Sequence, residues 1–394
     1  MNIVERPIFS EIEGFLKTEE ILVLTGCRQS GKTTTFRYLF DKVGSPNKLF
    51  LDLENVLNRK YFEEDNYEAV KASFEFQGID FSKRAYIFLD EIQYVKNLPS
   101  VVKYLRDKYN IKFFLTGSAS FYLKNLFSES LAGRKYIFHI WPLTFREFLG
   151  FKGHKVKNLK AVPEGLSVLL EGLFSEYLNF GGFPGVVLKE TGREKKMKLQ
   201  DIFSSYFEME VERLRDFAKL NKVRDTLLLL FARGASLLDI SRISQELGIS
   251  RITLGEYLDF FEKTFFFSFI KPFSVRKDVE IRKRSKVYSV DVGLAREMGF
   301  RDEGGLLETA IYQNLRGENE VNYYRRKDGR EIDFILNKKK AVEVKSFCHQ
   351  QDISLLKRIL VNLKGISGFK VVTLRRQIKA GRYVEWAPHF CLRI

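Results

Sequence analysis

The sequence has few of the features that mark secreted or membrane proteins. Its 394 residues include only three cysteines, Cys27, Cys348 and Cys391, which lie far apart and form no Cys-x-x-Cys pair. This scarcity argues against a disulfide framework or a cysteine zinc site and fits a reducing compartment. The first residues show no basic start followed by an apolar stretch, so we expect no signal peptide. No apolar run approaches the roughly 18 residues of a membrane-spanning helix, and we therefore expect a cytoplasmic protein without membrane contact.

The composition instead indicates a folded chain with large cores. Apolar residues make up 45% of the sequence, with 37 Phe and 17 Tyr, and the length allows two or three domains of roughly 100–200 residues each. The net charge of +16 is uneven: residues 271–394 hold 27 Lys and Arg against 15 Asp and Glu, whereas residues 1–150 and 151–270 each exceed balance by only two positive charges. A surface for a polyanion, if the chain has one, is therefore expected in the last third.

The most informative stretch lies near the start of the chain. An apolar strand-type run, residues 21–25, leads into Gly-x4-Gly-Lys-Thr and then into a helix-compatible segment. Glycines let the backbone wrap around an anion, while loop N–H groups and the helix N-terminus face its charge. Lys32 would reach the β- and γ-phosphates of ATP and Thr33 would hold Mg²⁺. A chance glycine-rich turn is the alternative, but the flanking strand and helix favour a phosphate loop. The candidate nucleotide-binding residues are Gly26, Cys27, Arg28, Gln29, Ser30, Gly31, Lys32, Thr33 and Thr34.

Polar residues at the ends of later strands extend this prediction. A buried strand ends in Asp90 and Glu91, which would hold Mg²⁺ and polarise the attacking water, respectively. The next strand ends near Thr116 and Ser118, whose hydroxyls could contact the γ-phosphate. Arg134 follows in a small-residue turn and could act on a neighbouring subunit's phosphate. The alternatives are a solvated acidic turn, a Gly-Ser loop without a ligand and an ordinary surface arginine.

The order of motifs along the chain resembles a known family. It comprises GCRQSGKT, FLDEIQ, LTGSAS, LAGR, WPLTFREFL (residues 141–149), GGFPGVV (residues 181–187) and KVYSVDVGL (residues 286–294). This order is similar to that of AAA+-like prokaryotic P-loop ATPases with a poorly characterised nuclease-like domain in the C-terminal half. The resemblance covers nearly the whole chain. Gly185 stands where that family often has an acid, so no role is carried over to this position.

The middle of the chain has the pattern of a helix-turn-helix. Apolar residues between 237 and 247 have helical spacing, Gly248 makes a turn, and Ser250 can cap a second helix. The resemblance implies a winged-helix lid here. The second helix carries Glu256, Asp259 and Glu262 against two basic residues, Arg251 and Lys263, and these acids would repel a phosphate backbone. A packing element is therefore favoured over a reader of DNA sequence.

The last third carries a second candidate site. The basic residues between 271 and 286 indicate either a solvated surface or a polyanion contact. Further on, alternation places Glu343 and Lys345 on one face of a strand, and Asp333 on the partner strand of the implied hairpin could face them. Two carboxylates and a lysine form the arrangement with which divalent-metal nucleases hold Mg²⁺ and hydrolyse phosphodiesters. The arrangement resembles the Asp…Glu-x-Lys core of the restriction-endonuclease-like fold, and Glu308 matches the acid that often precedes it. A hairpin with one packed face and one solvated face is the alternative.

These observations predict an α/β protein with three domains: a P-loop NTPase core with a parallel sheet (residues 1–150), a helical and winged-helix middle (151–270) and a basic restriction-endonuclease-like domain (271–394). The predicted function is Mg²⁺-dependent ATP hydrolysis coupled to nucleic-acid engagement, with or without cleavage and with possible self-assembly. A nucleotide-gated switch acting on a protein partner is the alternative. A passive nucleic-acid-binding module is less favoured, because binding alone needs no water-activating acid.

Overall fold

The computed structural model describes residues 3–64, 66–117, 133–155, 162–211, 217–274, 284–326, 328–361, 363, 365–377 and 381–394. The chain forms two compact units: residues 1–141 with 263–265, and residues 142–262 with 266–394. The predicted middle and C-terminal domains therefore share the second unit, and their separation stays a prediction. No helix within the described ranges is long and apolar enough to cross a membrane.

The first unit is built on a parallel sheet, as predicted for the P-loop NTPase core. Its five strands have the order β2-β3-β4-β1-β5, and all their pairings are parallel. The strands are β1 (Ile21–Thr25), β2 (Lys48–Asp52), β3 (Ala85–Asp90), β4 (Ile111–Gly117) and β5 (Lys135–His139). The helices are α1 (Pro7–Glu13), α2 (Lys32–Lys42), α3 (Val56–Lys60), α4 (Tyr67–Phe76) and α5 (Leu98–Lys108), with a 3₁₀ turn at Ile92–Tyr94.

Both faces of this sheet are buried, which explains why its strands are almost continuously apolar. Ile21 and Val23 of β1 belong to one hydrophobic cluster, and Leu22 and Leu24 belong to the cluster on the other face. Because successive strand residues point to opposite faces, each strand supplies both cores. The polar side chains that matter for chemistry are left at the ends of the strands.

The second unit begins with helices and a small antiparallel sheet. Its first helices are α6 (Phe145–Phe151), α7 (Glu164–Phe180), α8 (Pro184–Val187), α9 (Gly192–Tyr206), a π-helical turn (Phe207–Val211) and α10 (Phe217–Ala232). The predicted helix-turn-helix forms α11 (Ile240–Leu247) and α12 (Arg251–Lys263), with Gly248 in the left-handed conformation between them. Strands β6 (Ser236–Leu237), β7 (Phe267–Ile270) and β8 (Lys286–Ser289) pair in the order β6-β8-β7.

A mixed sheet completes the second unit. Its five strands have the order β13-β12-β11-β10-β9. Antiparallel pairing joins β9, β10 and β11, so the predicted hairpin is present, and parallel pairing joins β11, β12 and β13. The remaining elements are α13 (Val292–Glu297), α14 (Glu303–Leu315), β9 (Val321–Arg325), β10 (Glu331–Leu336), β11 (Lys340–Lys345), α15 (Gln350–Leu360), β12 (Gly368–Thr373), β13 (Val384–Trp386) and α16 (Ala387–Arg393).

Two of the sequence motifs pack directly against each other in this unit. Asp291 is fully buried and accepts hydrogen bonds from the backbone N–H groups of Gly182 and Leu294, at 2.7 and 3.0 Å. The amide of Gln313, on α14, donates to the same carboxylate at 3.1 Å. A Cβ atom at Gly181 would overlap that carboxylate. These glycines are therefore required by close packing, and the clasp holds the helix that carries Glu308.

Candidate nucleotide site and carboxylate cluster

The phosphate loop has the backbone conformation that its glycines predict. It joins β1 to α2, and Gly26 and Gly31 have φ angles of +152° and +101°. A Cβ atom at Gly26 would overlap the carbonyl oxygen of Ile140, so only glycine fits there. Gln29 also has a positive φ, of +60°, which is uncommon for a residue with a side chain and is typical of strained functional loops.

The side chains of Lys32 and Ser30 in the loop are buried. Lys32 is 4% exposed, and its ammonium donates to the carbonyl oxygens of Gly26 and Cys27 at 3.1 and 3.0 Å. The guanidinium of Arg6 donates to the carbonyl oxygen of Ser30 at 3.1 Å and braces the loop from behind. The hydroxyl of Ser30 is buried and has no hydrogen-bond partner among the described residues. An unsatisfied buried hydroxyl inside a glycine-lined cradle fits an anion that supplies its partner.

The acid at the end of β3 lies among hydroxyl groups from two other elements. Thr116, at the end of β4, donates a hydrogen bond to the carboxylate of Asp90, and the Thr33 hydroxyl, in the first turn of α2, is hydrogen-bonded to the same carboxylate. Burial raises the pKa of Asp90, the charge of Glu91 adds to the rise, and the two hydroxyls oppose it. A buried carboxylate beside a phosphate-loop threonine is the oxygen set that Mg²⁺ prefers.

Glu91 is held in an unusual backbone conformation. Its φ is +53°, its backbone N–H donates to Asp90 Oδ1 and Thr116 Oγ1 at 3.1 and 3.2 Å, and the Gln93 amide donates to its carboxylate. A left-handed glutamate is rare and is found mainly where the surrounding structure imposes it. These hydrogen bonds keep Glu91 beside Asp90.

The structure adds one residue to this site and separates others from it. Asp52, at the end of β2, is in register with Asp90, and its charge contributes to the raised pKa of Asp90; an acid at the end of a neighbouring strand was the signal that could have found it. Arg134 precedes β5, whose first residue pairs with Ile21 at the start of β1, and so lies at the sheet edge opposite the phosphate loop. Arg134 pairs instead with Asp107, at 2.7 and 2.8 Å. The action of Arg134 on a neighbouring subunit's phosphate stays a prediction.

The predicted γ-phosphate contact of Ser118 lies outside the described residues.

The predicted residues of the last third also come together. Glu308 lies on α14, Asp333 on β10, and Glu343 and Lys345 on β11. The register of β10 against β9 shifts between Ile332 and Ile335, so Asp333 sits at a bulge, a device that re-aims side chains. Asp333 Oδ2 accepts from the Val344 N–H at 2.8 Å, and Lys345 Nζ lies 3.0 Å from Glu343 Oε1.

A further lysine lies inside this cluster. Lys286 Nζ is 2.5 Å from Glu308 Oε1, 2.6 Å from Glu331 Oε1 and 3.4 Å from Asp333 Oδ1. The expectation that the whole basic run around residues 271–286 forms an exposed surface is wrong for Lys286, whose side chain is 4% exposed. The attraction of three carboxylates compensates for the hydration that the Lys286 ammonium loses on burial. Residues 275–283 lie outside the described part of the chain, and Arg284 pairs with Asp239 at 2.8 Å.

We define the carboxylate cluster as Glu308, Glu331, Asp333 and Glu343. Burial is the largest cause of the raised pKa values of Glu308, Asp333 and Glu343. Burial and the charge of Asp333 raise the pKa of Glu308 to about 8 and that of Glu343 to about 7. Burial also raises the pKa of Asp333, against the charge of Lys286. For Lys286, burial acts to lower the pKa, but the surrounding carboxylates raise it overall.

Metal binding by Glu308, Asp333 and Glu343 stays a prediction. Within the ranges that the structure describes, no group of three or more His, Cys, Asp or Glu side chains is arranged to hold a metal ion. In the cluster, Glu308 Oε1 contacts Lys286 and accepts from the Tyr288 hydroxyl. The cluster therefore has the residue types of a metal site but is arranged around an ammonium group.

Comparison with known families divides the chain into three matched segments. Residues 18–149 match an AAA domain. Residues 171–304 and 303–388 match two domains of unknown function, DUF8612 and DUF4143. The first match covers the parallel sheet and the phosphate loop. The last match contains the hairpin with Asp333, Glu343 and Lys345.

Whole-chain comparison finds relatives of similar length. An uncharacterized protein of Methanocaldococcus jannaschii is 29% identical over 94% of this chain and 88% of its own length. An uncharacterized protein of Haemophilus influenzae is 30% identical over 82% of this chain and 81% of its own. Among solved structures, a Walker-type ATPase of Pyrococcus abyssi aligns with 17% identity over 75% of this chain and 96% of that chain, with a TM-score of 0.48. The chain belongs to the family of the Haemophilus influenzae protein, and the AAA match over residues 18–149 supports a P-loop ATPase core.

Proposed function

We propose that the protein hydrolyses Mg²⁺-ATP in its first unit and uses the cycle to engage nucleic acid through its basic last third. The observation that carries the first half is the convergence of Thr33, Asp90 and Thr116 beside the phosphate loop. Three elements distant in sequence supply these groups, and a merely structural turn would not need all of them. ATP-binding residues are Gly26 to Thr34, with the Lys32 ammonium placed to exchange its two carbonyl partners for phosphate oxygens.

The site accounts for hydrolysis as well as binding. Thr33 and Asp90 would hold Mg²⁺, which neutralises the charge that develops on the phosphates. Glu91 orients the attacking water, because its left-handed backbone and the Gln93 amide fix its carboxylate beside Asp90. Thr116 links Asp90 to the backbone of Glu91, so a change at the phosphates is transmitted to both acids.

The second half of the proposal is supported by charge. Lys339, Lys340, Lys370 and Arg393 line a cavity of about 450 Å³ in the last third, and Glu385 is the single acid among its described lining residues. Glu385 pairs with Lys370 and Arg393, at 3.3 and 2.9 Å, and the four lining cations exceed this one acid by three charges. Because phosphate contacts require cations, this excess favours a polyanion. Phosphate recognition there requires no particular nucleic-acid sequence.

We also propose that β6, α11, α12, β7 and β8 form a winged-helix element and that the last sheet has a restriction-endonuclease-like fold. Two helices followed by an antiparallel sheet support the first assignment, and the Asp333 and Glu343-x-Lys345 arrangement supports the second. Glu256 and Asp259 are exposed on α12. These acids disfavour α12 as a DNA-contacting helix and leave the basic last third as the surface for nucleic acid.

The test is ATP turnover by purified Lys32→Ala, with Lys42→Ala as the matched control. Lys42 lies in the last turn of the same helix with its side chain 47% exposed. We expect Lys32→Ala to lose turnover on the order of 100-fold or more, because the phosphates lose their charged partner. Lys42→Ala should retain wild-type turnover. Unchanged turnover in Lys32→Ala would rule out this site.

The same assay with single-stranded, double-stranded and branched DNA separates the two functional hypotheses. Stimulation of turnover by any of these forms supports nucleic-acid engagement. Slow turnover that no DNA form changes, together with nucleotide-dependent self-assembly, would instead favour the switch that acts on a protein partner.

A further inference from the structure

Lys286 occupies the centre of the carboxylate cluster. It lies on β8, outside the hairpin that supplies Asp333 and Glu343, and its nitrogen is within 3.4 Å of carboxylate oxygens from three residues, Glu308, Glu331 and Asp333. Its side chain is 4% exposed. An ammonium group that is removed from water and surrounded by three carboxylates is a resident cation of the site.

Four of the carboxylate oxygens that a metal could use already have partners, whereas Glu343 Oε2 is buried without a hydrogen-bond partner among the described residues. Asp333 directs Oδ1 toward Lys286 and Oδ2 toward the Val344 N–H. Glu308 contacts Lys286 and Tyr288 through the same oxygen, and Glu343 contacts Lys345. Mg²⁺ requires carboxylate oxygens at about 2.0–2.1 Å in near-octahedral geometry. A Mg²⁺ ion bound to Asp333 would therefore have to displace either the Lys286 ammonium or the Val344 N–H from that carboxylate.

Electrostatic repulsion also disfavours a divalent metal ion bound beside the Lys286 ammonium. A divalent cation bound to Asp333 and Glu308 would lie within a few ångströms of the Lys286 ammonium, in a buried region where like charges repel strongly. The Tyr288 hydroxyl, which donates to Glu308, and the Arg325 guanidinium, 3.2 Å from Glu331, satisfy the outer sides of the same acids. The acids are thus oriented around the ammonium from several elements.

We propose that the Lys286 ammonium is the resident cation of the carboxylate cluster and takes the place that a divalent metal holds in a nuclease of this kind. The last third then holds nucleic acid without metal-dependent cleavage at this cluster. Lys286 is a positioning residue: it fixes Glu308, Glu331 and Asp333 and so joins β8, α14 and β10. The consequence for nucleic acid rests on the proposed function, whereas the identity of the cation does not.

The test is Mn²⁺ binding to the nucleotide-free full chain, followed by electron paramagnetic resonance and by the melting temperature. The proteins are the wild type, Lys286→Met, Asp333→Asn and the double variant Lys286→Met with Asp333→Asn. Lys357→Met is the matched control, because Lys357 is exposed on α15. We expect Lys286→Met to bind one Mn²⁺ at least about tenfold more tightly than the wild type, since the freed carboxylates are metal ligands. The double variant should lose this site, and Lys357→Met should behave as the wild type.

Two outcomes would overturn the proposal. One is a Mn²⁺ ion bound to the wild type and lost in Asp333→Asn, which decides the question even if Lys286→Met does not fold. The other is a folded Lys286→Met, shown by circular dichroism, that gains no Asp333-dependent site. Neither outcome bears on ATP turnover, so failure here is distinct from failure of the ATPase assignment.

Discussion

At the scale of single residues, the structure shows how far burial can change a charged side chain. Lys112, on β4, is fully buried, and its ammonium donates to the Thr18 hydroxyl at 2.9 Å and to the Glu20 carbonyl oxygen. Burial, helped by the charge of Arg84, lowers the pKa of Lys112 to about 8. Unlike Lys286, Lys112 has no set of carboxylates around it, which explains the opposite direction of its pKa shift.

The pH dependence of stability follows from this shift. Between the folded pKa of Lys112, about 8, and the unfolded pKa of about 10.4, the unfolded chain binds more protons, so Lys112 makes the protein more stable as pH rises. We expect the free energy of unfolding of the wild type, minus that of Lys112→Met, to increase by about 2 kcal/mol from about pH 7 to about pH 10. Urea unfolding of both proteins measures it, with exposed Lys103→Met on α5 as the control. A difference that stays constant or falls with pH would contradict the lowered pKa of Lys112 in the folded protein.

At the scale of elements, the conspicuous Gly-Gly-Phe-Pro and Val-Asp-Val-Gly motifs serve packing. Gly181 ends α7 with a φ of +73°, and the segment after it is clasped by the buried carboxylate of Asp291. Gly293 likewise approaches the backbone of Phe180 so closely that a Cβ atom would overlap it. Both motifs therefore join α7, α13 and α14 through close packing.

Gly181→Ala should destabilise the second unit strongly. The new methyl group would overlap Asp291 at a φ that disfavours side chains, and we expect a loss of about 3 kcal/mol or more in the free energy of unfolding. Gly172→Ala is the control within the same helix, where a Cβ atom would meet nothing within 4 Å; it should stabilise the protein by about 0.5–1 kcal/mol. Denaturant unfolding distinguishes the two. Equal stability of the two variants would remove the packing explanation.

The helix that carries Glu308 illustrates a second role of element packing. Residues 306–315 have an amphipathic pattern, yet the observed α14 is buried at every position from Thr309 to Leu315. The buried side chains of Gln313 and Asn314 are hydrogen-bonded: the Gln313 amide donates to the Leu143 carbonyl oxygen, and the Asn314 amide oxygen accepts from the Phe145 N–H. The buried helix α14 thus fixes the position of Glu308, whose carboxylate lies 2.5 Å from the Lys286 ammonium.

At the scale of the whole molecule, the excess positive charge determines the partner that the proposed function requires. The last third contributes 27 Lys and Arg against 15 Asp and Glu, and part of this excess is buried or paired, as Lys286 is. The exposed cations that remain available include Lys339 and Lys340, at the turn and start of the hairpin strand β11. Affinity for nucleic acid should therefore depend on these residues and on salt.

We expect the double variant Lys339→Ala with Lys340→Ala to bind double-stranded DNA more weakly than the wild type. The slope of log K against log salt should become shallower by about 2, since each phosphate contact contributes about 0.9. Fluorescence anisotropy over a salt series measures it. Arg193→Ala with Lys196→Ala, which removes two exposed cations from α9, is the control and should leave the slope unchanged. An unchanged slope in the first variant would place the nucleic-acid surface elsewhere.

The sequence by itself determined the motifs that depend only on the spacing of neighbouring residues. The phosphate loop, the acids at the end of β3 and the hairpin with Asp333 and Glu343 follow from the spacing of glycines, apolar residues and carboxylates, and the structure has each of them in the predicted element. Local spacing is sufficient there because strand alternation and loop geometry depend on neighbouring residues only.

The tertiary structure alone decided which charges meet. Lys286 and Asp333 are 47 residues apart, Gly182 and Asp291 are 109 apart, and Asp52 joins Asp90 only through the register of two parallel strands. A lysine in a basic run has the sequence pattern of a solvated residue, and its burial becomes favourable only when distant carboxylates surround it. The free energy of a buried charge depends on partners from other elements, so spacing along the chain does not encode it.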